Sequence, residues 1–362
     1  MLVNDLIKEK KELQQVRENH LKELFAWNNP SGILVCHKHT NWIAWQKRDV
    51  ENGHIITTYL RKNDIELAQK LAVNLYRIIC IQYIRNRLNA IDDFIRNLHS
   101  VGAGERESIE MSFSLSGQFS LSKNSSSECL PTQNNMEKLH LAYDCAVIGD
   151  FLTDGSFQKL FYKIRNCPRM PAEFFRNDSA YSQLILPYLS NKYADLLDWY
   201  NGPFKQNKEH PEGLQFPVKL GYKVRSKSEV LIADRLYEEG ILFHYEELRP
   251  EFGDNNSPDC YIPIMSPERY AWEHFGAMDK ENYFHRNRGK ILNYLDHRWF
   301  PGINMITTYE TKGQPLSEEM VDHKISWLKS RYRNRLPDLP PDGSYNMYDL
   351  AAYVKCSKAG KC

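Results

Sequence analysis

The constraint that bears hardest on this chain is a pair of acids on what reads as one β-hairpin, from Pro258-Asp259 to Glu273-His274-Phe275-Gly276. Cys260 to Ile264 and Tyr270 to Trp272 are rich in β-formers, and Ser266-Pro267 between them is turn chemistry. With the hinge there, Ile264 falls opposite Glu268, and the same register sets Asp259 opposite Glu273. Directly opposed residues of an antiparallel ladder lie roughly 4.5–5.5 Å apart and point to one face. Two carboxylates so placed repel each other, and a fold that keeps them needs a cation between them. A hard divalent ion with oxygen ligands suits such a pair, Mg²⁺ before any other, with Mn²⁺ as its substitute.

The flanking segments extend the pattern. Ser226-Lys227-Ser228-Glu229 opens a helical stretch through Val230, Ala233, Leu236 and Tyr237 that Gly240 stops. Ser226-x-x-Glu229 fits a capping box, while the face shared with Ala233 and Leu236 turns Glu229 towards a sheet. Ile241 to Leu248 reads as a strand. After the hairpin, Glu281 to Arg298 reads as a helix with Lys290 one turn from Tyr294, set in a run of charge with His285, Arg286, Arg288 and Arg298. Pro301-Gly302 breaks it, and Ile303 to Tyr309 is a further strand. A strand, helix, strand succession of this length is a parallel crossover. The expected fold is α/β, with an α-β-β-β-α-β core and a largely helical N-terminal region.

This order and these residues resemble the PD-(D/E)XK nuclease superfamily, the restriction-endonuclease-like fold. The similarity is greater to one branch of uncharacterised bacterial proteins. It is carried by Arg225-Ser226-Lys227-Ser228-Glu229, Pro258-Asp259, Trp272-Glu273-His274-x-Gly276 and Lys290-x-x-x-Tyr294, within residues 221 to 312. The resemblance implies a metal held by Asp259, Glu273 and the backbone carbonyl of His274, with Glu229 reaching it directly or through water. The family's lysine normally stands two residues after the second acid, where this chain has Phe275, so Lys290 is the expected replacement. It would hold the attacking water or help deprotonate it, and offset charge on the phosphate. The implied activity is Mg²⁺-dependent hydrolysis of DNA, more an endonuclease than an exonuclease, leaving a 5′-phosphate and serving restriction, repair or phage defence.

Other acids match the motif only in letters. Glu310-Thr311-Lys312 is a true Glu-x-Lys, but Glu310 follows the crossover strand instead of pairing with the Asp259 strand. Pro337-Asp338 and Pro341-Asp342 lie in a Pro-rich stretch without strand character. All three are set aside as the metal site.

Around this core the chain divides into five segments. Residues 1–100 read as a helix (Asn4 to Phe25), two strands (Ile33 to Gln46 and His54 to Leu60) meeting around Asn52-Gly53, and a long helix (Lys62 to Leu98). Residues 101–138 include the Ser- and Asn-rich run Ser112 to Asn135, expected to be a mobile insertion. Residues 139–215 read as a helical connecting region, 216–336 as the nuclease-like domain, and 337–362 as a C-terminal tail.

With 47 basic and 46 acidic residues, global charge points to no polyanionic partner. Local patches do more: Lys219, Lys223, Arg225 and Lys227, and the run Trp327 to Arg335 with its aromatic rings, suit nucleic acid or an ordinary surface helix. Eight cysteines form no Cys-x-x-Cys, and Cys36-His37-x-His39 is too isolated for zinc. No apolar run spans a bilayer, so a cytoplasmic chain with reduced thiols and no membrane partner is expected. DNA is the expected partner, a homo-oligomer through the N-terminal helices a further one. Two other classes stay open: a nuclease-fold binding module without catalysis, which Phe275 favours, and an assembly protein activated by a partner of unspecified kind.

Overall fold

The N-terminal region is organised by one long helix. The computed structural model describes residues 2–26, 30, 32–36, 43–48, 54–101, 168, 170–176, 179–253, 256–265, 267–341, 343 and 345–360. Helix α1 (Leu2–Leu24) lays Leu13 and Val16 against Ile84 and Ile91 of α2 (Ile65–Val101), so the long helix has its partner within the chain. Every residue of α2 from Leu71 to Ile81 is buried, which gives this stretch a core position on all sides instead of one amphipathic face.

A small antiparallel sheet packs on α2. Strands β1 (Ile33–Cys36), β2 (Ile43–Arg48) and β3 (Ile55–Leu60) pair in that order. The single strand expected from Ile33 to Gln46 is therefore two, folded back so that Ile33 pairs with Gln46. The polar run Lys38-His39-Thr40-Asn41 breaks the alternation that a continuous strand needs. His37, His39 and the Asn52-Gly53 turn lie outside the described residues, as do residues 102–167 with the Ser/Asn-rich run and the start of the helical reading from Leu139. The later part of that connecting region is helical, with α3 (Ser182–Lys192) and α4 (Ala194–Asn201).

The second half builds a mixed sheet. A short hairpin, β4 (Phe216–Pro217) with β5 (Lys223–Val224), leads into α5 (Lys227–Glu238). Ser226 caps α5 by accepting the Glu229 amide at 3.1 Å, and Gly240, at a φ of 69°, ends the turn. A Cβ at Gly240 would come within 2.9 Å of Asn346 Cα, so only glycine lets the C-terminal segment approach there. Strands β6 (His244–Tyr245), β7 (Cys260–Pro263), β8 (Arg269–Phe275) and β9 (Met305–Tyr309) lie side by side in that order. The β6–β7 and β7–β8 pairings are antiparallel and β8–β9 is parallel, joined by α6 (Glu281–Asp296). The strand expected over Ile241 to Leu248 shrinks to two residues because Glu246, at a φ of 50°, turns out of extended backbone. The chain is a mixed helix-and-sheet protein with small sheets.

Helix α7 (Glu318–Arg335) buries Val321, Ile325 and Leu328, and α8 (Met347–Lys358) buries Met347, Leu350 and Ala351. These side chains share one core with Leu71 of α2 and Trp272 of β8, so the segment read as a tail carries a packed helix. Among the described residues Cys36, Cys80, Cys260 and Cys356 are free thiols, and no helix is long and apolar enough to cross a membrane.

Asp338 fastens this segment to the N-terminal region. Fully buried, it accepts from Arg77 at 3.2 Å and pairs with Lys192. Burial alone would raise its pKa, but Arg77 and Lys192 outweigh it and hold the carboxyl below its ordinary 3.8. Asp338→Ala leaves the Arg77 guanidinium buried without this partner and is expected to cost about 3–5 kcal/mol, read by denaturant unfolding. A depressed carboxyl contributes stability above its unfolded pKa, so the difference between wild type and Asp338→Ala is expected to be full at neutral pH and to fade as pH falls below 3.8.

Candidate active site

The hairpin sets the site. β7 and β8 pair Cys260 with Trp272 and Pro263 with Arg269, and the Ile264 amide donates to the Glu268 carbonyl at 3.2 Å. One rung further, Asp259 stands opposite Glu273, and the His274 amide donates to Asp259 Oδ2 at 2.6 Å. β6 adds a third acid: the Glu246 amide donates to the Asp259 carbonyl at 3.1 Å, continuing the register that pairs His244 with Tyr261. Glu246, Asp259 and Glu273 thus occupy one row across three strands.

Helix α6 grips the buried end of this row. Glu273, 3% exposed, receives Lys290 Nζ on Oε1 at 2.5 Å and the Tyr294 hydroxyl on Oε2 at 2.8 Å. The four-residue spacing puts the ammonium and the phenol on one helix face, one for each carboxylate oxygen. Burial opposes the charge of Lys290, but Glu273 and Asp259 outweigh it and raise its pKa, so it stands as an ammonium. Burial and the charge of Glu273 push the Tyr294 phenol well up.

Asp259 is the least satisfied of the acids. Burial first, then the charges of Glu273 and Glu229, push its carboxyl well above 3.8, and Lys290 and the His274 amide offset this only in part. Its surface stays partly open to solvent, as does Lys290 with 29% of its side chain exposed. Between its unfolded and folded pKa the native state binds more protons than the unfolded chain. Stability of the metal-free protein is therefore expected to fall, through this group, as pH rises from 3.8. Melting curves in EDTA between about pH 4 and 8 check this: Asp259→Asn is expected to have the flatter profile and the higher Tm at neutral pH.

Glu229 reaches the row from α5. Its Oε1 accepts from Ser226 at 2.9 Å, and its Oε2 accepts from the Arg225 amide at 3.0 Å and from the Tyr245 hydroxyl at 2.7 Å. The residue therefore closes the helix start and also adds negative charge beside Asp259. Glu246 was not singled out from sequence. Arg225 holds both its oxygens, at 2.6 and 3.1 Å, and burial raises its pKa. The signal was a carboxylate pair, Glu246-Glu247, closing the apolar run Ile241 to Tyr245.

Of the acids set aside, Asp342 lies outside the described residues. Glu310 follows β9, accepting from Ser228 at 2.6 Å with His274 Nε2 3.5 Å away, and Lys312 is exposed. Asp338 belongs to the buried ion pair with Arg77 and Lys192. Phe275, at the position where the resemblance would expect a lysine, is buried and stacked on Tyr309 at 5.3 Å.

The donor set suits a hard cation. Asp259 and Glu273 offer carboxylate oxygens whose mutual repulsion is only partly offset, and Mg²⁺ is commonly held by one or two carboxylates with water completing its shell. Among the described residues no group of three or more His, Cys, Asp and Glu side chains is arranged to hold a metal. A cation on Glu273 Oε1 would share that oxygen with Lys290. No family model, curated protein or solved structure matches the chain.

Proposed function

We propose that the protein is a metal-dependent phosphodiesterase of the restriction-endonuclease-like, PD-(D/E)XK kind, acting on DNA as an endonuclease. The observation that carries this reading is the grip of Lys290 and Tyr294 on the two oxygens of Glu273, on the rung where Asp259 stands opposite. The succession α5-β6-β7-β8-α6-β9 and the resemblance across residues 221 to 312 support it. A divalent ion held by Asp259 and Glu273, with the His274 carbonyl and Glu229 behind them, would polarise the scissile phosphate and acidify water.

The rest falls to the chain. Lys290, kept protonated by two acids, serves as an ammonium that orients water and meets phosphate oxygen, instead of the proton acceptor that a lowered pKa would make it. Tyr294 keeps Glu273 from turning, and the His274 amide does the same for Asp259. Incubating plasmid, linear and single-stranded DNA with Mg²⁺ or Mn²⁺ against an EDTA control tests the reading. Cleavage is expected only with metal. A second reading, a binding module that kept the fold and lost catalysis, draws on Phe275 filling the lysine position. It expects DNA retention without cleavage under every metal condition.

A further inference from the structure

The basic groups that stand out along the sequence are mostly neutralised within the fold. Arg333 pairs with Glu12, Lys329 with Glu239 and Arg335 with Glu268 on α7, while Lys219 pairs with Glu238 and Arg225 with Glu246. The outer half of α6 differs. Lys280, Arg286 and Arg288 are exposed, and among the described residues no carboxylate pairs with them. Arg286 stands 4.7 Å and Lys280 5.5 Å from the ring centre of the half-buried Tyr283. A ring that holds two exposed cations limits their freedom and so lowers the entropy lost when they bind an anion.

Their placement comes from the helix. Arg286 precedes Lys290 by four residues and Tyr283 precedes it by seven, so both lie on the face of Lys290, about 6 and 10 Å up the axis. A nucleic-acid strand whose scissile phosphate sits beside Lys290 would run its next phosphates past Arg286 and then Lys280. We propose that Tyr283, Arg286 and Lys280 form a rail that binds the backbone of a nucleic-acid strand passing Lys290. This rests on the nuclease reading for its substrate class, and on charge complementarity for its occupant.

Binding of a fluorescein-labelled single-stranded DNA oligonucleotide to the full chain, followed by anisotropy in EDTA over a salt series, tests the rail apart from cleavage. Arg286→Gln is expected to lower the slope of log affinity against log salt by about 0.7, the value of one phosphate contact on a single strand. Tyr283→Ala is expected to weaken binding roughly tenfold, and Tyr283→Phe to restore it because the ring still holds both cations. Unchanged affinity and slope in Arg286→Gln and Tyr283→Ala would overturn the rail, as would a wild type that does not bind the strand. A polyglutamate peptide competing as well as unlabelled DNA would also overturn it, marking an acidic protein as the occupant. Wild type that binds with the expected variant losses but never cleaves with Mg²⁺ would support the rail and sink the nuclease reading. Cleavage with unaltered variant binding would do the reverse.

Discussion

Lys290→Ala is expected to lower the cleavage rate by roughly 10²–10⁴-fold while leaving Mn²⁺ affinity nearly unchanged. The ammonium contacts Glu273 Oε1 at 2.5 Å and is partly open to solvent, where under the proposed function it would meet the charge that develops on phosphate. It is not itself an oxygen ligand, so the metal loses no donor. Removing it leaves Glu273 buried with Tyr294 as its remaining side-chain partner, and the metal-free protein is expected to lose about 1–3 kcal/mol. Added Mn²⁺ should recover part of that loss by mass action. Lys312→Ala, on an exposed turn beyond β9, is the matched control and should change neither quantity. Single-turnover cleavage, a calorimetric Mn²⁺ titration and a melt separate the three effects. An unchanged rate in Lys290→Ala would remove the lysine from the chemistry.

Asp259→Asn is expected to act in the opposite sense on stability and more severely on activity. The amide oxygen can still accept from the His274 backbone, so the local hydrogen bond survives while the repulsion with Glu273 and Glu229 ends. The empty site becomes more stable, and the metal loses one of its two carboxylates. Mn²⁺ binding should weaken sharply and cleavage should fall to background. In wild type, Ca²⁺ should support DNA binding without turnover, since it accepts more ligands in looser geometry than Mg²⁺. A variant that melts lower than wild type in EDTA would show that Asp259 stabilises the fold, contrary to the repulsion argument.

The legible part of the site was the part fixed by short-range rules. Turn residues between the two apolar runs led to the expected register, and the β7–β8 pairing has that register, with Asp259 opposite Glu273. Helical spacing placed Lys290 and Tyr294 on one face, although not that each would take one oxygen of the same carboxylate. Glu246 was hidden because its left-handed backbone ends β6 after two residues, which no propensity signals. In the run Ile33 to Gln46, the hydrophobic content outweighs the polar break that folds it into two strands. The cations of α7 look free in sequence because their acids, Glu12, Glu239 and Glu268, come from distant parts of the chain. Asp338 looks like loop chemistry for the same reason: Arg77 is far from it in sequence and beside it in space. Long-range ion pairs leave no local mark.

Under the proposed function, the Asp259–Glu273 pair would hold the divalent ion that drives phosphodiester hydrolysis. The most direct measurement is plasmid cleavage by wild type and Asp259→Asn, side by side, across a Mg²⁺ series with an EDTA control. Wild type is expected to give nicked and linear DNA in proportion to Mg²⁺ and none in EDTA, and Asp259→Asn none at any Mg²⁺ concentration. Equal cleavage by the two proteins would contradict that role of the pair.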